Sequence, residues 1–338
     1  MSKTGFISTK TPRKRRPILW LAPLLALIVV TIVVVTVTLT QANVIMRQPP
    51  KALDPFAINI LPRFEPVSFT SLDEQTRLSG WLIKTFRNPA RGTIVLVHDQ
   101  GQNRLPYGLD TADLFRFFTD EGFQVLTFDL RASGSSGGDL ASFGYMESED
   151  VVKAIQLAKR FTSSNRILLF GIGSGNAALL SAYHMLPDKT KPEIEVSERI
   201  SDLDIYQQDI AGVLLDTPAA KGADFIKAAI GKKQPFPLNL FLPTTLPLGV
   251  RLSGGNKPEI DLTQLASDVI APMWITRNNP DPFLDNSRSD PLIDTRLRLY
   301  PSNTRVYETM ISGHASGYML NRDAYFNDLR AFFDSWYD

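Results

Sequence analysis

RILLFGIGSGNAALLSAYHML, residues 166–186, contains the local pattern that decides the fold class. The run RILLF is almost entirely apolar, which is typical of a strand buried on both faces of a sheet. A glycine-rich turn follows, and the spacing of Ala and Leu predicts a helix over 175–186. A strand, a turn and a helix in succession form the repeating unit of an α/β sheet.

The same unit recurs along the chain. Apolar runs predict strands, and helical spacing between and after them predicts helices. Strands are expected at 67–70, 78–84, 93–97, 124–128, 166–170, 212–215, 272–276 and 305–309, and helices at 107–121, 145–161, 175–186 and 321–336. The first two strands form a hairpin, and the remaining alternation predicts a doubly wound, mostly parallel sheet with helices on both faces.

Two segments interrupt this alternation. Residues 187–210 are polar and acidic, and residues 232–262 are rich in Pro and Gly. Both are longer than ordinary connections between a helix and a strand. We therefore expect both segments to be cap or lid insertions that pack above the carboxyl ends of the strands, within a domain covering 65–338.

The amino terminus predicts a membrane anchor. Residues 18–39 form an uncharged apolar run of 22 residues, long enough to span about 30 Å of hydrocarbon as a helix. Residues 1–17 carry six basic residues and no acidic one, which predicts a cytoplasmic tail and an extracytoplasmic carboxyl-terminal domain. The run is longer than the apolar core of a cleaved signal peptide, the alternative. Residues 40–64 are interpreted as a linker.

Composition excludes several classes of function. The chain has a net charge of +1, so the body beyond the basic tail carries −5, which argues against a nucleic-acid partner. It contains no cysteine, which excludes a disulfide framework, a thiol nucleophile and a cysteine zinc site. We expect no metal and no cofactor. Any histidine chemistry must use His98, His184 or His314.

At the carboxyl ends of the predicted strands, the sequence resembles α/β-hydrolases, in particular the branch of serine aminopeptidase-like and monoglyceride-lipase-like enzymes. The stretch FDLRASGSSGGDLASFGYMESEDVVKAI (128–155) carries the strongest similarity, and HDQGQNR (98–104) resembles the oxyanion turn of that branch. The resemblance covers about residues 65–336. It implies an α/β-hydrolase fold and a site built from a nucleophile, an acid and a histidine, in that order along the chain.

The nucleophile elbow departs from the Gly-x-Ser-x-Gly pattern of that family. In GIGSG (171–175), Gly171 and Gly175 are in register, and Gly173 occupies the serine position. Glycine tolerates the strained turn but has no hydroxyl group, so we expect Gly173 at the apex with φ above zero. A shift by one residue would instead make Ser174 the nucleophile. With Gly173 at the apex, Ser174 is expected to cap the following helix, and Gly173→Ser is expected to raise ester hydrolysis.

The oxyanion turn departs from the pattern as well. Asp99 follows His98 where the family has glycine, and a carboxylate there would repel the negative charge of a tetrahedral intermediate. Backbone N–H groups near Gln100 and Gly175 are the implied oxyanion donors. His98 is interpreted as a structural residue of the turn, and His184 as a packing or surface histidine.

The remaining site residues follow from the resemblance. His314, after the last strand, occupies the position of the catalytic base. Asp281 lies where the acid is expected, and Asp290 is an alternative because its surroundings also resemble the acid loop. The alternative interpretation is that neither aspartate is catalytic and that both only form turns before proline.

Two functions therefore remain open. The first is a serine-type hydrolase in which Ser174 attacks an ester, amide or acylglycerol carbonyl, with His314 as the base and Asp281 orienting it. The second is a non-catalytic hydrolase-fold protein that binds a small-molecule, lipid or peptide ligand, or a partner, at the membrane. The missing serine at residue 173 favours reduced or lost serine hydrolysis.

Overall fold

The computed structural model describes residues 5, 18–162, 164, 166–194, 196–231 and 234–337. Its centre is an eight-stranded sheet. The strands are β1 (Phe64–Thr70), β2 (Arg77–Ile83), β3 (Gly92–Val97), β4 (Phe123–Phe128), β5 (Ile167–Ile172), β6 (Ile210–Asp216), β7 (Met273–Asn278) and β8 (Thr304–Thr309). All eight correspond to strands predicted from the sequence.

The strands lie in the order β1-β2-β4-β3-β5-β6-β7-β8. β2 is antiparallel to both of its neighbours, and every other neighbouring pair is parallel. The mostly parallel sheet and its initial hairpin are therefore confirmed. Because β3 and β5 to β8 run in the same direction, the residues that follow them meet at one edge.

Helices cover both faces of the sheet, as predicted for a doubly wound fold. Phenylalanines of α3 and α12 form the core on one face, and small and aliphatic residues of α4 and α5 form the core on the other. The helices are α1 (Ile18–Met46), α2 (Ala57–Ile60), α3 (Thr111–Asp120), α4 (Ser148–Phe161), α5 (Gly175–Met185), α6 (Glu198–Ser201), α7 (Gly222–Ile230), α8 (Leu242–Ser253), α9 (Leu262–Asp268), α10 (Asp290–Leu299), α11 (Gly317–Leu320) and α12 (Arg322–Tyr337).

The apolar run predicted to span a membrane forms α1. By length and composition this helix can cross a bilayer: the segment Leu21–Met46 contains an 18-residue window with a mean hydropathy of 2.7, and little of that window is buried. The helix continues to Met46, seven residues beyond the predicted end of the span. The predicted basic tail lies outside the described residues, apart from residue 5.

The predicted linker at 40–64 is packed against the domain. Its first residues belong to α1, and the next ones lie on the loop that follows β3. The Asn103 amide donates to the carbonyl oxygens of Lys51 and Ala52, at 3.1 Å each, and the Lys51 ammonium donates to Gln102 Oε1 at 2.6 Å. The chain that leaves α1 is therefore held beside the predicted oxyanion turn.

One of the two predicted lids is in a different place. In the segment 187–210, the carbonyl oxygen of Asp204 and the carboxylate of Asp209 accept hydrogen bonds from the Lys159 ammonium, in the last turn of α4. The prediction that this segment lies above the strand ends is wrong. The reason is that α5 has already returned the chain to the edge where the strands begin.

The second segment, 232–262, belongs to an excursion that leaves the sheet edge after β6. Lys221 and Asp261 pair as an isolated antiparallel bridge, which closes the base of this excursion. Between them lie α7 and α8, and α8 contains an internal proline, Pro247. The Pro- and Gly-rich composition concealed this helix. We call residues 222–260 the cap, of which 222–231 and 234–260 are described.

Candidate active site

The predicted site residues meet at the carboxyl edge of the parallel strands. Asp99 follows β3, Ser174 follows β5, Asp281 follows β7 and His314 follows β8. Asp216, the last residue of β6, completes the group. The candidate residues were chosen because sites in parallel sheets lie at the carboxyl ends of the strands, and the structure brings them together there.

The elbow forms with Gly173 at its apex. Gly173 has φ +54°, and its N–H donates to the Asp216 carbonyl oxygen at 2.9 Å. A Cβ on Gly171 would collide with the Leu179 side chain, and one on Gly175 would collide with the carbonyl oxygens of Val97 and His98. Both flanking glycines are therefore required by the close approach of helix and strand, and the register shift to Ser174 does not occur.

Ser174 adopts neither of the two roles expected of it. It stands at the start of α5, but its side chain makes no capping hydrogen bond, so the predicted cap is wrong. Its Oγ donates to Asp99 Oδ1 at 2.7 Å and accepts from the Gln100 N–H at 2.9 Å. Nε2 of His314, which would have to receive the serine proton, is buried and has no hydrogen-bond partner among the described residues. The hydroxyl group therefore holds the Asp99 carboxylate in place.

Asp99 occupies the position where an oxyanion would bind. Its Oδ1 accepts from the backbone N–H groups of Gln100 and Ser174, at 2.8 Å each, as well as from the Ser174 hydroxyl group. The N–H after the elbow apex and the N–H of the β3 loop are the two donors that form an oxyanion hole in this type of site. The N–H group that follows the elbow apex belongs to Ser174 and not, as was expected from the sequence, to Gly175, because the apex is Gly173.

The same carboxylate fills the space above the elbow. A Cβ built on Gly173 would lie 2.6 Å from each of the two carboxylate oxygens of Asp99. A serine at this position would therefore collide with Asp99. The two departures of the sequence, Gly173 and Asp99, are parts of one arrangement: glycine leaves the space, and the carboxylate occupies it.

The histidine–acid pair is intact. His314 Nδ1 lies 2.7 Å from Asp281 Oδ2, and Asp281 Oδ1 accepts the backbone N–H groups of Phe283 and Leu284 at 2.9 Å. Burial lowers the pKa of His314, but the hydrogen bond and charge of Asp281, with the charges of Asp99 and Asp216, outweigh it and raise that pKa above its usual value. Asp281 is therefore the partner of the histidine.

Asp290, the alternative acid, lies elsewhere. Its carboxylate pairs with the Arg277 guanidinium, which also binds Glu308. Arg277 projects from β7, so Asp290 helps to attach α10 to the sheet. The similarity of its surroundings to an acid loop did not distinguish it from Asp281, because both aspartates precede proline after the same strand.

The sequence analysis missed a buried carboxylate in the site. Asp216 accepts hydrogen bonds from the hydroxyl groups of Tyr107 at 3.2 Å, Tyr325 at 3.0 Å and Thr217 at 2.9 Å. Burial raises the pKa of Asp216 to about 6, although these hydrogen bonds and the charge of His314 oppose the shift. Its position at the end of a buried strand was the available signal, and the two tyrosines are distant in sequence.

The other two histidines have structural roles. His98 is buried; its Nε2 accepts the Leu130 N–H at 3.0 Å, and its Nδ1 lies 2.8 Å from the Asp99 carbonyl oxygen. His184 Nε2 lies 2.8 Å from the Leu265 carbonyl oxygen. Burial lowers the pKa of both histidines. Among the described residues, no group of three or more His, Cys, Asp or Glu could hold a metal ion.

A cavity of about 310 Å³ lies between the cap and the acid loop. On one side its walls come from the cap, and on the other from the residues after Asp281. Phe283, in its wall, packs against the His314 ring with the ring centres 4.4 Å apart. The lining residues are Lys227, Ala228, Gly231, Gln234, Asn239, Pro243, Pro282, Phe283, Leu284, Asp285 and Arg288.

Comparison with solved structures identifies the architecture. The chain superimposes on the Pyrococcus furiosus esterase Pf2001 with a TM-score of 0.64 and 19% identity, covering 86% of this chain and 100% of the esterase. A thermophilic esterase from Thermogutta terrifontis matches with a TM-score of 0.53 and 15% identity, over 81% of this chain and 100% of that one. The chain has the α/β-hydrolase fold. At these identities the likeness concerns the fold.

Sequence comparison adds one bacterial relative. A Bacillus subtilis protein described as uncharacterized protein YqkD is 23% identical over 248 residues, which cover 73% of this chain and 72% of that protein. No family model matches the chain. Function must therefore be argued from the α/β-hydrolase site itself.

Proposed function

We propose that this chain is a membrane-anchored α/β-hydrolase-fold protein that has lost serine-type hydrolysis and binds a ligand or a partner outside the cytoplasm. One observation carries the proposal: Asp99 Oδ1 accepts both backbone N–H groups that an oxyanion would need. An oxyanion hole works by offering preorganised donors to a charge that develops during the reaction. Here a side-chain oxygen of the protein itself occupies those donors.

The energetic consequence is large. Removing a single oxyanion donor from a serine hydrolase costs about 10²- to 10³-fold in rate, and here both donors are engaged. The nucleophile position also lacks a hydroxyl group, because Gly173 occupies it. Ser174 does not replace it, since its Oγ is bonded to Asp99 and Gln100. Binding in the cavity between the cap and the acid loop requires none of these groups.

Membrane attachment is the second part of the proposal. It is supported by α1, which is long and apolar enough to cross a bilayer, and by the basic residues before it. The positive-inside rule supports an amino terminus in the cytoplasm and a hydrolase-fold domain on the opposite side of the membrane. The resemblance to serine aminopeptidase-like and monoglyceride-lipase-like enzymes supports an amphiphilic or peptide ligand.

Active-site labelling tests the loss of hydrolysis. The full chain, purified in detergent, is treated with a fluorophosphonate probe and with short p-nitrophenyl esters, alongside Ser174→Ala. We expect no labelling and no turnover above the variant. Labelling of the wild type that disappears in Ser174→Ala would contradict the proposal and identify a serine hydrolase with a displaced nucleophile.

A second candidate function is supported by the His314 imidazole. Within the part of the chain that the structure describes, its Nε2 is buried without a hydrogen-bond partner, and a buried polar atom left unpaired requires an explanation. Asp99 could serve as the nucleophile in place of serine. Its Oδ2 would attack a saturated carbon and expel a leaving group as an anion, forming an alkyl ester. Water deprotonated by His314 Nε2 would then attack Cγ, and the resulting oxyanion on Oδ1 would already face its two donors. Collapse of this intermediate would break the Cγ–Oδ2 bond, and the departing alkoxide would take the proton from His314 and leave as an alcohol, which restores the Asp99 carboxylate.

Isotope labelling distinguishes this second function from simple binding. A single turnover of a haloalkane or an epoxide in H₂¹⁸O would place ¹⁸O in the Asp99 carboxylate, because water attacks Cγ rather than the substrate carbon. Asp99→Asn is the matched control. No incorporation and no turnover would leave ligand binding as the function.

A further inference from the structure

The cap carries exposed apolar side chains that extend from the residues before α8 to the last turn of that helix. Four large side chains lie there: Phe236 is 80% exposed, Leu240 69%, Leu248 49% and Leu252 47%. Leu248 and Leu252 are one turn apart on the same face of α8, and the other two precede the helix. A patch of this kind on a soluble surface marks an interaction site. We call these four residues the cap apolar surface.

The membrane helix packs directly on the helix that carries this surface. Thr38 Oγ1 lies 2.8 Å from Thr245 Oγ1, and Thr38, Ala42 and Met46 are buried at successive turns of α1. One turn along α8, Gly249 allows the close contact: a Cβ there would lie 2.9 Å from Thr38 Cγ2 and 3.3 Å from Ala42 Cβ. Thr245 contacts Thr38, and Gly249, one turn later on α8, contacts Thr38 and also Ala42, one turn later on α1. The two helices therefore run in the same direction.

The position of this contact along α1 fixes the depth of α8. The apolar run ends at Leu39, so Thr38 lies at the boundary of the hydrocarbon region. The seven residues from Thr40 to Met46 extend about 10 Å further, through the headgroup layer. Since the two helices run in the same direction, the amino-terminal end of α8 and the residues before it, Phe236 and Leu240, lie on the membrane side. Leu248 and Leu252 follow Thr245 and lie at the level of the headgroup layer.

We propose that the cap apolar surface inserts into the bilayer that α1 spans, so that the hydrolase-fold domain lies on the membrane instead of being suspended from its anchor. The inference rests on the membrane anchoring proposed above. Burial of apolar side chains in the interfacial region is the driving force of such docking. Asn239 and Pro243, beside the residues on the membrane side, also line the cavity between the cap and the acid loop, which brings that cavity to the lipid surface. An amphiphile could then enter from the bilayer.

Site-directed spin labelling tests the docking in the full chain reconstituted into phosphatidylcholine and phosphatidylglycerol vesicles. The natural chain has no cysteine, so each single variant carries one label. The test positions are Leu240→Cys and Leu248→Cys. The matched control is Phe86→Cys, because Phe86 is 92% exposed in the connection from β2 to β3, at the opposite edge of the sheet. Val30→Cys, in the middle of the apolar run, reports on α1 itself.

We expect the labels at 240 and 248 to collide with oxygen more often than with a water-soluble nickel complex. The ratio of oxygen to nickel collisions at 240 should exceed that at 86 several-fold and approach that at 30, and the ratio at 248 should lie between those at 86 and 30. Labels at 240 and 248 that match the one at 86, with the label at 30 in lipid, would overturn docking and leave the anchor intact. A label at 30 in water would overturn the anchor and docking together. Labels at 240 and 248 shielded from both reagents would indicate a protein cover, and also overturn the proposal.

Discussion

The two halves of the site differ in how far they follow the hydrolase pattern. The half formed after β7 and β8 retains the pattern: Asp281 holds the His314 ring in the arrangement of a catalytic base. The half formed after β3 and β5 has exchanged its parts, with glycine at the apex and a carboxylate among the oxyanion donors. The two halves are built on different strand ends, so one could change without disturbing the other.

The comparison also shows that the changes within the second half depend on each other. The Asp99 carboxylate fits only because residue 173 has no Cβ, and the donors that would be left unpaired without a substrate are satisfied by that carboxylate. A buried donor without an acceptor costs about 1–3 kcal/mol. The exchanged half is therefore stable in the absence of a ligand, which is what a binding protein requires.

Restoring both exchanged residues should have the largest effect. The combination Asp99→Gly and Gly173→Ser empties the oxyanion donors and supplies a hydroxyl group beside His314. We expect p-nitrophenyl ester hydrolysis to rise about 10²-fold or more above wild type. Gly173→Ser alone should not raise it, because its Cβ collides with Asp99. This corrects the expectation drawn from the sequence.

The single variants serve as controls for the double variant. Serine at a position with φ +54° should cost on the order of 1–3 kcal/mol of stability, so each protein must be shown to be folded. A double variant that is folded but no more active than Gly173→Ser would mean that the retained half is not competent as a base.

The buried Asp216 predicts an unusual pH dependence of stability. Its pKa is about 6 in the folded chain, against an ordinary value of 3.8. The folded state therefore binds the proton more tightly, and stability should fall as pH rises from about 4 to about 6, by up to about 3 kcal/mol. His314 acts in the same direction at higher pH, because its folded pKa is also raised.

Asp216→Asn removes the part of this pH dependence that comes from Asp216. We expect the difference in unfolding free energy between variant and wild type, measured by urea denaturation in detergent, to favour the variant progressively between pH 4 and pH 6. A difference that does not vary with pH across this range would mean that Asp216 is not protonated in the folded state.

Removing the Asp99 carboxylate should have a smaller effect on stability. Asp99→Ala leaves the N–H groups of Gln100 and Ser174 and the Ser174 hydroxyl group without their acceptor, at a cost of about 1–3 kcal/mol that water partly restores. Thermal unfolding of the full chain measures it. An unchanged midpoint would show that the carboxylate is not part of the folded site.

The sequence predicted the fold and the site edge because both depend on local patterns. Buried strands are recognised by uninterrupted apolar runs, and the elbow by two glycines around its apex. Three features depend on contacts between distant residues and could not be predicted: the direction of the Asp99 carboxylate, the tyrosines that bind Asp216, and the packing of α1 on α8. The lid at 187–210 was misplaced because composition does not indicate at which edge of the sheet a connection lies.

Replacing the acid that pairs with His314 should have the smallest of these effects, but this experiment has the clearest control. Asp281→Asn removes the carboxylate whose hydrogen bond and charge raise the pKa of His314, while burial still lowers that pKa, so the pKa of His314 should fall. Asp290→Asn is the matched control, because Asp290 pairs with Arg277 and its replacement should leave the His314 pKa unchanged.

The chain has only three histidines, so NMR titration can resolve each ring. Burial lowers the pKa of His98 and His184, and both should titrate identically in the two variants. A shift of His314 in Asp290→Asn equal to that in Asp281→Asn would mean that the retained half is held together by the whole acid loop rather than by one carboxylate.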